Sequence, residues 1–204
     1  MGICQYEFLR MYILEKGLLF CVNCDTMDRI QKEGTKMQEM LIVREATSED
    51  IETLWDDNIM RNPGDDRWVR WKKEYVGYNE SGMAKTFAVI ADGHPVGEGT
   101  LLFDPLCKAI RGRTVLADGQ STANINALRI RHAFEGQGHI SRLVKIMEKY
   151  AWEHGFSRVT IGVEATETRN LAIYLHFGYT KFIMSEVEDG ALVLYYGKDL
   201  KPTI

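Results

Sequence analysis

The spacing of apolar residues along the 204-residue chain changes period repeatedly, and each change marks an element. Leu41–Glu45 is a short β-rich run. Thr47 with Asp50 three residues later makes a capping-box start, and Ile51, Leu54, Trp55 and Ile59 follow at helical spacing. Asn62, Pro63 and Gly64 stop that helix. Asp65–Tyr78 carries Trp68, Trp71, Tyr75 and Tyr78 on one helical stripe, a pattern that suits a core face or the wall of a cleft. Thr86–Ala91 and Val96–Phe103 are β-rich and flank Asp92-Gly93-His94-Pro95, a hairpin turn signal. Asp104–Gln120 is irregular and holds Lys108, Arg111 and Arg113.

Thr122–Arg131 alternates. Ala123, Ile125, Ala127 and, less cleanly, Arg129 fall on one face, with Asn124, Asn126, Leu128 and Ile130 on the other. A central strand covered on both faces tolerates that mixture. Ile140, Leu143, Val144, Met147, Tyr150 and Ala151 then recur at helical spacing until Gly155. Arg158–Val163 reads as a strand and Thr168–Phe177 as a short helix. Phe182–Val187 and Ala191–Tyr196 form a closing hairpin around Asp189-Gly190. The order β α α β β β α β α β β predicts an α/β (α+β) domain: one mixed, mostly antiparallel sheet of six to seven strands with helices on both faces.

The first forty residues read differently. Met11–Val22 is apolar but broken by Glu15, Lys16 and Gly17, and no small-x-small cleavage site follows. Asp25–Glu39 is polar. Residues 1–39 are expected to be an extension, consistent with translation from an upstream start codon, and residues 40–204 the domain. A helix docked on the domain is the competing account.

Composition narrows the function classes. Hydrophobic residues make up 45% and charged residues 26%, ordinary for a folded chain, and a chain this long buries roughly 70% of its surface without staples. The formal net charge is −4, so binding to nucleic acid by bulk electrostatics is not expected. No run of 18 apolar residues is present, so no conventional membrane span is expected. Cys4, Cys21, Cys24 and Cys107 are too few for a disulfide scaffold. Cys21 and Cys24 form a C-x-x-C without a second ligand pair, which reads as reduced thiols in a cytoplasmic protein rather than a metal site.

The stretch with the most chemistry is Leu128-Arg-Ile-Arg-His-Ala-Phe-Glu-Gly-Gln-Gly-His-Ile-Ser-Arg-Leu143. A strand enters a glycine-bearing turn, and the turn enters an amphipathic helix. Gly136 and Gly138 allow close backbone approach, and the helix start presents unpaired N–H groups and a positive dipole end, which suits a pyrophosphate. Arg142 and Lys145 lie one turn on, as further phosphate partners or a solvated face. A Walker A sequence is absent, and the dinucleotide motif fails because Ser141 stands where its third glycine belongs. That motif also follows the first strand of a parallel unit rather than a run of hairpins.

Glu135-Gly-Gln-Gly-His-Ile-Ser-Arg-Leu143 resembles the Arg/Gln-x-x-Gly-x-Gly/Ala acetyl-CoA loop of the GNAT (GCN5-related) N-acetyltransferase superfamily. Tyr174-Leu-His-Phe-Gly-Tyr179 is similar to the family's Leu-Tyr-x-x-x-Gly-Phe segment, and the closing hairpin ends in Tyr196-Gly-Lys-Asp-Leu, also typical. The resemblance spans about Leu41 to Leu200. The chain departs from it at Glu135, in place of Arg or Gln, and at Ile140, in place of Gly or Ala. Glu167 stands where an Asn is frequent, with Asn170 nearby.

The resemblance implies a GNAT-like acyl-CoA fold and direct transfer of acetyl from acetyl-CoA to a primary amine in a ternary complex, without a metal. It implies that the main chain of Leu128, Arg129 and Ile130 holds pantetheine, and that Gly136, Gln137, Gly138, His139, Ile140, Ser141 and Arg142 hold the pyrophosphate. The oxyanion would sit on a strand amide, that of Ile130. Tyr174 is the implied general acid for the departing thiolate; its alternative is a ring packed in the core. Glu98 and His132 are the candidates for general base, with Asp118, Gln120–Thr122 or a water relay as other options.

Acceptor specificity is expected from Asp56–Tyr78 and the loops Asp104–Gln120 and Val187–Gly190. Trp68 and Trp71 with Asp56, Asp57, Asp65 and Asp66 suit a cationic small molecule such as a polyamine or aminoglycoside, although aspartates also stabilise helix N-termini. A protein N-terminus or lysine is an alternative acceptor. Rival readings are an acyl-CoA sensor without turnover and a nucleotide-binding module with a variant glycine loop. A homodimer stays an open option, since no interface signal is readable.

Overall fold

The computed structural model describes residues 41–201. The reading of residues 1–39 and the Cys21/Cys24 pair lie outside the described residues. Seven strands form one sheet: β1 Leu41–Glu45, β2 Ala84–Ala91, β3 His94–Leu102, β4 Thr122–Ile130, β5 Arg158–Glu164, β6 Lys181–Glu188 and β7 Ala191–Asp199. Their order is β1-β2-β3-β4-β5-β7-β6, and every pairing is antiparallel except β4 with β5. Four helices complete the domain: α1 Ser48–Arg61, α2 Arg67–Glu80, α3 His139–Glu153 and α4 Thr168–His176. None of them is long and apolar enough to cross a membrane.

Local chemistry sets the element ends. The Asp50 N–H donates to Thr47 Oγ1 and the Thr47 N–H donates to Asp50 Oδ2, which closes the capping box of α1. Gly138 opens α3 with φ +80°, a left-handed conformation that favours glycine.

The helices lie on both faces. On one, the α3 stripe Leu143, Val144, Met147 and Ala151 packs with Phe87, Val89, Leu101, Ile125 and Ile161 of the sheet, and Tyr174 of α4 and Phe177 just after it join the edge of that core. Full burial of each larger aliphatic side chain is worth about 1.5–3 kcal/mol. A Cβ at Gly99 would come within 2.7 Å of Met147 Cε, so glycine there lets α3 lie close on the sheet. On the other face, α1, α2 and the 104–120 segment bury Ile51, Trp55, Tyr75, Tyr78, Cys107, Ile110 and Leu116. The aromatic stripe of α2 therefore plays both expected parts: Tyr75 and Tyr78 are core, whereas Trp71 faces a cavity.

Two irregularities shape the centre of the sheet. The β4–β5 ladder runs only from Thr122↔Arg158 to Ile125↔Ile161, although both strands continue. Beyond that point β5 pairs with β7 alone and β4 with β3 alone, so the two parallel strands splay. Within β4, Thr100 pairs with Asn126 but Glu98 with Arg129, so Gly99 of β3 faces two β4 residues, Ala127 and Leu128. That bulge sits at Ala127, which holds φ +49°.

The bulge corrects the alternation expected for this strand. Leu128 and Ile130 turn to the α3 face with Ile125, and Arg129 joins Asn126 and Ala127 on the α1–α2 face. One inserted residue reverses the phase, because side chains alternate with period two.

Asp118 fixes the entry to β4. Its carboxylate accepts from the N–H groups of Gln120, Ser121 and Thr122 and from Ser121 Oγ. Burial raises its pKa, but the three backbone donors more than reverse this and hold it at about 2. Its folded pKa is depressed, so its stabilising contribution is present above the unfolded value near 3.8 and lost as pH falls towards 2. Asp118→Ala is expected to cost about 1–2 kcal/mol at pH 7 after allowance for partial exposure, and nothing at pH 2. Urea unfolding of both proteins across this range checks the sign.

Candidate functional site

Two cavities meet at the splay. One, of about 280 Å³, lies between the diverging strands and is lined by residues that include Ile125–Leu128, Gly162, Glu164 and Tyr174. The other, of about 500 Å³, lies on the α1–α2 face, between α2, the 104–120 segment and the β6–β7 turn. Asn126, Ala127, Glu188 and Tyr195 line both. A Cβ at Gly162 would come within 2.7 Å of the Tyr195 ring, so glycine there leaves room for that ring in the cleft.

The open edge of β4 supplies donors. The Arg131 N–H bonds to the Val96 carbonyl on β3. By strand alternation the N–H groups of Leu128 and Ile130 point the opposite way, into the splay. The Arg129 main chain faces β3, and its carbonyl oxygen lies within 2.9 Å of where a Gly97 Cβ would stand. Of the three residues expected to present main chain to a ligand, the structure gives that orientation to Leu128 and Ile130. Arg129 instead sends its side chain to the larger cavity.

Beyond β4 a short 3₁₀ turn, His132–Phe134, leads into Gly136 (φ +73°) and Gly138 (φ +80°). The first intrahelical bond of α3 runs from the Arg142 N–H to the Gly138 carbonyl, so the N–H groups of Gly138, Ile140 and Ser141 have no acceptor within the helix. Neither glycine would place a Cβ against other protein atoms. Gln137 Nε2 donates to the Ala133 carbonyl, which braces the loop. His139 is buried and Arg142 Nη1 lies 3.5 Å from its Nδ1. Glu135 is turned aside, between His132 and Arg169. Ile140 packs against the core on the α3 side. The side chains at the two departures from the expected loop sequence are therefore both turned away from the glycine turn.

Tyr174 lines the splay and makes no side-chain hydrogen bond among the described residues. Burial, with a smaller contribution from the negative charge of Glu167, pushes its phenol up to about 12, so it stays protonated. Glu98 is fully buried beneath the Arg129 guanidinium, with Arg129 Nε donating to its Oε1 at 2.6 Å. Burial raises its carboxyl above the usual range and Arg129 pulls it part of the way back. His132 stands 97% exposed outside both cavities, beside Glu135. Asp118 is spent on its loop.

The ionised group at the junction is Glu188. Its Oε1 accepts from the Tyr195 hydroxyl and from Arg113 Nη1, each at 2.5 Å. Burial raises its pKa, and these two donors more than reverse the effect, holding it below the ordinary carboxylate range. Next to it, the Tyr75 hydroxyl donates to Asn126 Oδ1 at 2.6 Å, and Asn124 Nδ2 continues the polar chain to Thr160 Oγ1. Tyr195 and Asn126 are not among the site residues expected from sequence, and Glu188 is covered only as a member of the Val187–Gly190 loop expected to shape acceptor specificity.

The larger cavity draws on the expected segments, with Arg70, Trp71, Glu74 and Tyr75 from α2, Lys108, Ala109 and Arg111 from the irregular segment, and Glu188 and Asp189 from the hairpin. The four aspartates expected to attract a cation do not line it. Asp56 pairs with Lys72, Asp57 with Arg61 and Arg131, and Asp65 with Arg67. Asp66 is at the start of α2.

A splayed parallel pair beside a glycine turn that opens a helix, with a protonated tyrosine in the cleft, is the arrangement that the resemblance to the GNAT family implies. The model of the acetyltransferase (GNAT) family matches residues 43–179. The chain belongs to the GNAT acetyltransferase family. Solved GNAT structures agree with the fold. An N-acetyltransferase of Staphylococcus aureus Mu50 aligns at a TM-score of 0.57 and 16% identity, over 79% of this chain and 99% of that one. An acetyltransferase of Salmonella typhimurium, which modifies the N-terminal serine of ribosomal protein L7/L12, aligns at 0.57 and 13% identity, over 79% and 95%. The L7/L12 α-N-protein acetyltransferase RimL in complex with coenzyme A aligns at 0.55 and 15% identity, over 78% and 94%. No curated protein sequence matches the chain.

Acetyl-CoA is the acetyl donor of the GNAT family.

Proposed function

We propose that this GNAT enzyme acetylates a primary amine on a small molecule by direct attack on acetyl-CoA. The observation that supports it is the meeting of the two cavities at Asn126, Ala127, Glu188 and Tyr195. Pantetheine enters from the glycine turn along Ile130 and Leu128 and brings the thioester to this junction, while the amine arrives from the larger cavity.

The acceptor amine is mostly ammonium at neutral pH and must lose a proton before it attacks. Glu188 is the ionised carboxylate at the junction; it draws the ammonium in and takes its proton directly or through one water. The amine nitrogen then bonds to the thioester carbon, and the oxyanion rests on a β4 amide. Leu128 is closer to the junction than Ile130, so its N–H is the better donor. Collapse breaks the carbon–sulfur bond and Tyr174 gives its proton to the departing thiolate; the second proton, which the nitrogen sheds as it becomes the amide, returns through water to the Tyr174 phenolate. Glu98 holds Arg129 in place and is a positioning residue. His132, exposed beside the turn, has no part in the transfer.

The cavity of about 500 Å³, a cleft bounded by α2, the 104–120 segment and the hairpin, supports a small-molecule acceptor. A thermal-shift titration with acetyl-CoA tests the first half of this reading, with CoA, ATP and NAD as controls. Ligand at a hundredfold over its Kd adds about 2.7 kcal/mol, which raises Tm by roughly 5–10 °C in a domain this size. A rise with acetyl-CoA and CoA alone is expected; no rise would overturn the reading.

A further inference from the structure

The larger cavity carries more than a place for an amine. Four cationic side chains line it, Arg70, Lys108, Arg111 and Arg129, against three carboxylates, Glu74, Glu188 and Asp189. Most of these are already committed. Glu74 is taken by Lys108 at 2.9 Å and approached by Arg70, whereas Glu188 gives only Oε1 to Arg113 and Tyr195 and so keeps Oε2 for a single amine. A polycation would bring further positive charge to a wall on which cations outnumber carboxylates.

Arg129 is held unlike the others. Its guanidinium lies over Trp55, 4.2 Å from the ring centroid, and 5.1 Å from that of Trp68. One edge is fixed by the fully buried Glu98. The Nη2 atom is within 2.6 Å of Glu98 Oε1 but is not aligned for a hydrogen bond, and Glu98 Oε2 has no donor. Nη1 has no partner among the described residues, and 27% of the side chain's surface stays open. A guanidinium gripped on one edge, stacked on its face and free at the other nitrogen is preorganised to receive a carboxylate.

Arg129 is two residues along β4 from Ala127, where the thioester arrives. That is about 6–7 Å along a strand, so one short molecule can reach both points. We propose that the acceptor is a free amino acid, its carboxylate on Arg129 and its amine directed to Glu188. Trp71 is the aromatic side chain that faces this cavity, and its ring gives an aromatic or other apolar amino-acid side chain a surface to pack on. The proposal rests on acetyl transfer at the junction and adds the acceptor class to it.

The test is a set of initial rates for the full chain with saturating acetyl-CoA. L-Phenylalanine, L-tryptophan and L-methionine are compared with phenethylamine, tryptamine and L-phenylalaninamide, which keep the side chain and amine but lose the carboxylate. At least one amino acid is expected to exceed its carboxylate-free partner by about a hundredfold or more in kcat/KM, because the analogue leaves Arg129 unpaired. Arg129→Gln should erase that preference through KM, with the Tm rise on acetyl-CoA unchanged. Equal or better use of the amine or amide overturns the proposal, as does failure of every amino acid while acetyl-CoA still binds. The wild-type comparison decides even if Arg129→Gln does not fold. Loss of the acetyl-CoA shift in wild type would instead overturn the acetyl-transfer reading beneath it.

Discussion

Tyr174→Phe is expected to lower kcat by about 10²- to 10⁴-fold, the usual worth of a positioned general acid, or roughly 2.7–5.5 kcal/mol of barrier. The change removes one oxygen from a side chain that makes no hydrogen bond to other described residues, so the core around the ring is undisturbed. Binding of acetyl-CoA, read as a Tm shift, should therefore be retained while turnover falls. A phenol pushed up to about 12 remains a donor through the whole working range. The alkaline side of the wild-type kcat profile should accordingly show no loss from Tyr174 below about pH 11. Unchanged turnover would return Tyr174 to a packing role and leave the thiolate to take its proton from water. A protein that binds acetyl-CoA but turns over nothing before the substitution is made would be a sensor.

The elements of this GNAT domain are legible in sequence because each has its own periodicity and end signals. Leu143, Val144, Met147 and Ala151 repeat at helical spacing and are buried. Thr47 and Asp50 make the expected capping box. The turn at Gly136–Ser141 is legible for a similar reason: glycines at left-handed positions before an amphipathic helix leave few alternatives.

The site's second half is not legible, and the causes are physical. The bulge at Ala127 is carried by an alanine at φ +49°, where a glycine would have given it away, and it swings Arg129 to the acceptor side. Glu188 reaches the junction only because β7 is inserted between β5 and β6, a non-sequential pairing that no local pattern announces. The aspartates of Asp56–Asp66 suggested an acidic cleft, yet three of the four are paired with basic neighbours on or near their own helices. Composition counts charges and does not reveal which are already neutralised.

That distinction makes Glu98 the most consequential side chain for stability. Glu98→Ala is expected to cost about 3–5 kcal/mol, since it leaves the Arg129 charge largely buried without its partner. In a domain of this size the loss lowers Tm by roughly 6–20 °C. The pair is not itself a large source of stability, because desolvating both charges offsets most of their attraction. Replacing both, as Glu98→Leu with Arg129→Leu, should therefore recover most of the lost Tm while leaving the carboxylate preference of the acceptor site abolished. A double variant as unstable as Glu98→Ala would mean that the pair stabilises the fold in its own right. The folded pKa of Glu98 is raised, so its contribution is fully present below the unfolded value near 4.5 and declines as pH rises through the folded value. Wild type should accordingly lose stability over that interval, and the double variant, which has nothing there to titrate, should not. If so, Glu98 and Arg129 add little net stability, and what the pair supplies is one guanidinium held rigid against the cleft.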